Sequence, residues 1–139
     1  MKWVTWEHVG VDRMGCAWLI RQRIDPAAEF VFVPFDAPAL PPDAEPFDLP
    51  GVRLSHHGSH CSFHAVLREY HLNDPVLERI ARIIDEADVV QAAAVEPIAP
   101  GLDALCRGLR LASLDDHTAL QRGALLYDAL YAQLSSEAE

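Results

Sequence analysis

A chain of 139 residues with 50% hydrophobic content can bury one core and reads as a single domain over residues 1–139. Its formal net charge of −10 and its single lysine, Lys2, argue against a surface for nucleic acid or an anionic membrane. No apolar run approaches the ~20 residues of a membrane span.

Lys2 to Glu7 sets Trp3 and Thr5 against Val4 and Trp6, the alternation of a strand. Asp12 suits a helix N-cap, and Met14 to Ile20 then forms a helix that is apolar almost all round, ended by Asp25-Pro26. Glu29 to Phe35 is aromatic and β-branched, a buried strand. Strand, helix and strand in this order predict a parallel pair. Residues 36–50 are rich in proline and read as a long ordered loop, uncommon in a compact domain unless it covers something. Gly51 to His57 resumes alternation and supplies a third strand.

Four helices are expected next: Ser62 to Tyr70; one capped by Asp74 with Pro75 at its first position and Leu77, Ile80, Ile84 and Ala87 on one face; Leu102 to Leu111; and Asp115 to Leu134. Residues 135–139 are expected to fray. The predicted architecture is α+β, a small mixed β-sheet packed against a mostly helical C-terminal half.

Five of the seven histidines fall between positions 56 and 71, with a cysteine among them: His56, His57, His60, Cys61, His64 and His71. Imidazole and thiolate are the usual ligands of zinc, iron and related metals, so the stretch is a candidate divalent-metal site, although its spacing matches no standard finger. Strand parity turns His56 inward with Val52 and Leu54, and His57 outward. His64, in the first turn of its helix, is expected to stay neutral in the field of the helix dipole, and the same field should lower the thiol pKa of Cys61. His56 and His64 therefore rank first, His57 and Cys61 next. The plain alternative is a solvated polar loop, or for His56 a core imidazole bonded to backbone.

His117 opens a core-facing seam continued by Leu120, Ala124, Tyr127, Tyr131 and Leu134, and is a further candidate ligand; the alternative is a seam that ends at solvent. Arg13, at a helix N-terminus, and Arg21 are candidates for holding an oxyanion or carboxylate, against the simpler reading of salt bridges with the many acids. The three cysteines, Cys16, Cys61 and Cys106, are widely spaced and form no disulfide framework. Together with an N-terminus that lacks a signal-peptide pattern, they lead to the expectation of a cytoplasmic protein.

The run Val11-Asp12-Arg13-Met14-Gly15-Cys16-Ala17-Trp18-Leu19-Ile20-Arg21 resembles the C-terminal domain of the chromate-resistance regulatory protein ChrB. So do Ile24-Asp25-Pro26, Glu29 to Pro34, Pro46-Phe47-Asp48-Leu49-Pro50-Gly51, His56-His57-Gly58, Cys61-Ser62-Phe63 and Leu126 to Tyr131. The resemblance covers nearly the whole chain. It implies a link to chromate resistance and points to Asp12, Arg13, Cys16, Trp18, Arg21, His56, Cys61, Phe63, Tyr127 and Asp128. An acidic residue is common in the family where His64 stands, and basic residues occur where His57 stands. Longer members look like chromate-responsive regulators with an additional N-terminal half; a DNA-binding role placed there is not carried over.

Three functional classes stay open. The first is a chromate- or metal-stress resistance or sensing domain that binds zinc or iron near residues 56–64, with an oxyanion or other small anion beside it. The second is a small metalloenzyme with water at an open coordination position and Glu69 or Asp115 as base. The third is a metal-free interaction domain pairing through the last helix, and a homo-oligomer is open in any of them.

Overall fold

The computed structural model describes residues 1–88 and 94–138. Strands β1 (Lys2–Trp6), β2 (Glu29–Val33) and β3 (Ala44–Pro46) form one sheet in the order β2–β1–β3. The described residues also form helices α1 (Val11–Arg23), α2 (Ser62–Glu69), α3 (Pro75–Asp88), α4 (Ala99–Ala112) and α5 (Asp116–Glu137). The α+β class and the helical C-terminal half are as expected from the sequence.

The sheet is parallel throughout rather than mixed: Trp3 of β1 stands opposite Phe30 of β2 and Glu45 of β3. The third strand lies inside the proline-rich stretch, not at 51–57. The reason is local. Asp48 and Gly51 adopt φ values of 53° and 78°, and the Asp48 N–H donates to the Leu54 carbonyl at 2.7 Å. Residues 48–54 thus close into a tight loop. Beyond it the chain keeps only a bridge from Leu54 to Phe47 and another from His57 to His60. The alternation of Val52, Leu54 and His56 reduces to one anchor, Leu54, which is fully buried.

Helix α1 is buried from Val11 to Ile20 except at Arg13, as its largely apolar circumference requires, and packs against α2, α3, α4 and α5. Gly15 is needed where α5 crosses it: a Cβ there would stand 3.0 Å from Tyr127 Oη and 2.9 Å from Ile84 Cδ1. Tyr127 Oη donates to the Val11 carbonyl at 2.6 Å, and Trp18 Nε1 donates to Asp128 at 2.8 Å. These bonds fix the angle between α1 and α5 and give Trp18, Tyr127 and Asp128 a structural role.

Capping explains the helix limits. Asp74 accepts the Val76 N–H at 2.9 Å and Asp115 the Thr118 N–H at 2.8 Å, as expected from the sequence. Helix α4 starts earlier than expected, at Ala99, with Pro100 in its first turn. Helix α5 runs through Glu137 instead of fraying after Leu134, because Gln133 bonds Glu137 at 3.3 Å and Arg79 reaches Glu137 at 3.6 Å. Asp12 is not the cap of its own helix. The N-cap is Gly10, and Asp12 sits within the first turn with 2% of its surface exposed. Among the described residues, no helix is long and apolar enough to cross a membrane.

Candidate metal centre

A carboxylate buried on the face of α1 must find donors, and Asp12 finds them on α2. Its Oδ2 accepts the Ser62 N–H at 2.8 Å and its Oδ1 the Phe63 N–H at 2.9 Å. It thereby caps α2 from another helix, where the N-cap residue Cys61 offers no side-chain cap. Asp12 Oδ2 also lies 2.9 Å from His56 Nε2. Asp48, on the loop after β3, accepts the Ser62 hydroxyl at 2.6 Å through Oδ1 and lies 2.9 Å from Arg13 Nε through Oδ2. Asp88, at the end of α3, brings Oδ2 to 3.0 Å from His56 Nε2, and Asp48 Oδ1 is 3.7 Å from the same nitrogen.

One donor atom each from Asp12, Asp48 and His56 lies within 4.8 Å of the others. The group stands beyond the carboxyl ends of β1 and β3, where helices α1 and α2 begin. Parallel α/β arrangements commonly place ligands there.

The charges are crowded. Burial, and after it the negative charge of Asp12, pushes the Asp48 carboxyl up to about 7 in spite of Arg13. The hydrogen bond with Asp12 is the main reason that the His56 imidazole is pushed up to about 9. Asp88 is raised by burial first and by Asp12 second. A divalent cation can take the place of the proton on His56 and relieve the same repulsion. The donors are oxygen and imidazole nitrogen without thiolate, a set that suits zinc, iron(II) or manganese.

Asp48 and His56 also line a cavity of about 340 Å³ with Trp6, Arg13, Leu49, Pro50, Gly51 and Ser55. The end of the proline-rich segment, Asp48 to Pro50, lines this cavity together with Gly51.

The remaining histidines do not converge on His56. Among the described residues, no group of three possible ligands includes His57, Cys61, His64 or His117. His56 itself does not turn inward by strand parity. Its side chain is 41% exposed, and it reaches Asp12 from an irregular segment.

Cys61 is fully buried, with Sγ 3.6 Å from the Ala81 carbonyl. Its thiol is pushed up, chiefly by burial and then by Asp12, the reverse of the expected lowering by the helix dipole. His64 is lowered, as expected, but mainly because it is partly buried and beside His60, against which it stacks at 4.2 Å. His60 Nδ1 lies 3.2 Å from Asp85 Oδ2, and His57 Nε2 lies 3.1 Å from the Arg53 carbonyl. His117 is exposed and stands edge-on to Phe32 at 4.8 Å, so the seam of α5 ends at solvent.

Arg21 is engaged elsewhere, donating to the Ala28 carbonyl at 3.1 Å and lying 4.7 Å from the Phe30 ring centroid. Arg13 does line the cavity, but it is ion-paired to Asp48 and donates to the Glu7 and Asp48 carbonyls. Neither carboxylate considered as a base belongs to this group: Glu69 pairs with Arg53 at 3.0 Å, and Asp115 caps α5.

Sequence reasoning missed Asp48 and Asp88; it read Asp12 as a cap, and the family resemblance pointed to Asp12 without giving it a role. A signal for Asp48 was present, since an acid enclosed in Phe47-Asp48-Leu49-Pro50 stands among residues with little else to do than bury. For Asp88, one acid among many on an amphipathic helix, there was none.

The family model described as "ChrB, C-terminal domain" matches residues 3–134. Over 136 residues the chain is 36% identical to Protein ChrB of Cupriavidus metallidurans, which covers 97% of this chain and 41% of that protein. The chain thus spans less than half the length of this curated relative. No solved structure matches it. The motif residues Asp12, Arg13 and His56 meet at one place while Trp18, Tyr127 and Asp128 hold the helices around it, and this chain belongs to the ChrB C-terminal domain family.

Proposed function

We propose that this domain binds a divalent metal, zinc or iron, through Asp12, Asp48 and His56 with Asp88 alongside, and that it serves chromate or metal-stress resistance or sensing. The observation that carries the reading is the convergence of three aspartates on one imidazole nitrogen, with Asp48 and His56 both shifted toward their protonated forms. Membership of the ChrB family supports the link to chromate. An oxyanion would reach this place as a ligand of the cation, because Arg13 is already paired with Asp48. Elemental analysis of untagged protein, wild type beside His56→Ala and Asp48→Asn, tests the reading. About one zinc or iron per chain, lost in both variants, is expected; no metal, and no gain in melting temperature on adding zinc or iron, would sink it.

The cavity on Asp48 and His56 favours a second reading, a small metalloenzyme with an open coordination position. The group placed to move a proton is then Asp88, raised by burial and close to His56. A cobalt(II)-loaded protein whose visible spectrum ignores added azide would remove this reading.

A further inference from the structure

The cavity beside the proposed centre has two unlike sides. Arg13, Asp48, Ser55 and His56 are polar; Trp6, Leu49 and Pro50 are apolar. Trp6 is held in place, with Arg13 5.7 Å from its ring centroid and Phe35 packed against it at 4.6 Å. A volume of about 340 Å³ falls within the range of small-molecule sites, roughly 300–1,000 Å³, which are mostly apolar with a few convergent polar groups.

An inorganic dianion such as sulfate or chromate would leave the apolar side unused and would meet the Asp48 carboxylate. A purely apolar ligand would strip water from Asp48 and His56 without replacing it. A ligand with one anionic head and a flat apolar body satisfies both sides. Charge favours the single negative charge. With His56 neutral and ligating, a divalent cation and Arg13 together balance the three aspartates, so a bound monoanion leaves the centre with one net negative charge and a dianion with two, and the smaller excess is the less costly.

We propose that the cavity takes a small organic anion, a carboxylate or phenolate on a flat apolar body, with its head oxygen on the cation and its body against Trp6, Leu49 and Pro50. The proposal rests on the metal-binding reading given above.

The full chain loaded with zinc, its zinc counted by elemental analysis, is titrated calorimetrically with benzoate, acetate and sulfate. Benzoate and acetate share a head and differ by the ring. Benzoate is expected to bind about tenfold or more tighter than acetate, from burial of the ring, and sulfate no tighter than acetate. Trp6→Ala, checked for fold by circular dichroism, should bring benzoate down to the acetate level. If that variant does not fold, the benzoate-to-acetate ratio of the wild type still decides. Equal binding of benzoate and acetate, or tightest binding of sulfate, by protein that holds its zinc overturns this proposal alone. Protein that takes up no zinc overturns it together with the metal reading.

Discussion

His56 and His64 stand on either side of Cys61, yet their surroundings drive them in opposite directions. His56 is the more exposed, but its Nε2 faces Asp12, Asp48 and Asp88 and is drawn toward the charged form. His64 faces the ring of His60 and is pushed toward the neutral form by burial and by that neighbour. Ligand competence is commonly read from neutrality, which would choose His64. Geometry chooses His56, because a cation needs several donors at one point and can displace a proton that those donors already hold. A dense run of histidines in sequence is therefore poorer information than three carboxylates brought from α1, α3 and the loop after β3.

The sharpest break in this comparison comes from Asp12, which serves both the fold and the centre. Asp12→Ala leaves two N–H groups of α2 without their acceptor and takes from His56 the nearest of its three carboxylates, Asp88 and Asp48 remaining beside it. Removing one partner of a buried ionic group typically costs about 3–5 kcal/mol, and a loss of that order is expected in urea unfolding, along with all metal binding. A loss below about 1 kcal/mol would show that α2 does not depend on this cap.

His56→Ala separates the two roles. Its half-exposed side chain contributes little to packing, so the fold should hold while zinc affinity falls about 100-fold or more, as for loss of one of very few metal ligands. Zinc retained at full stoichiometry would move the centre elsewhere.

pH sharpens the contrast next. The folded pKa of Asp48 lies above its usual value, at about 7, and that of His56 above its usual value, at about 9. For a group raised on folding, stability is complete below the unfolded pKa and is lost as pH rises through the folded one. The metal-free protein should therefore lose stability from the ordinary carboxylate range up to about pH 9, first through Asp48 and then through His56. Zinc competes with those same protons, so the rise in melting temperature that it gives should grow over the same window. Melting curves at several pH values, with and without zinc, check this; a zinc effect that shrinks toward pH 9 would contradict it.

Much of the fold was legible because it follows from local rules. The apolar circumference of α1, the Asp74-Pro75 start of α3 and the Asp115 cap of α5 each state their structure within a few residues. The third strand was misplaced because alternation at 51–57 mimics a strand, whereas the backbone turns at Asp48 and Gly51 and closes on Leu54 as a tight loop. The centre was legible only in part. His56 was ranked first and does stand in the candidate group, though not by the strand parity argued for it. Asp12 was seen as a cap, which it is, but for α2 across the core and not for α1. Asp88 depends wholly on the packing of α3 against α1, which no local pattern encodes.

The smallest effect is expected where the sequence is richest in histidine. His60 and His64 form a stacked, half-buried pair beside Asp85, whose Oδ2 lies 3.2 Å from His60 Nδ1. His64→Ala should therefore change unfolding stability by less than about 1 kcal/mol, since it removes one stacked ring and no buried partner. It should leave zinc stoichiometry unchanged, in contrast to His56→Ala. Were position 64 a ligand, His64→Glu, which keeps a donor atom, would hold the metal and His64→Ala would lose it. Equal zinc content in wild type, His64→Ala and His64→Glu is the expected result, and loss in His64→Ala alone would bring α2 back into the coordination sphere.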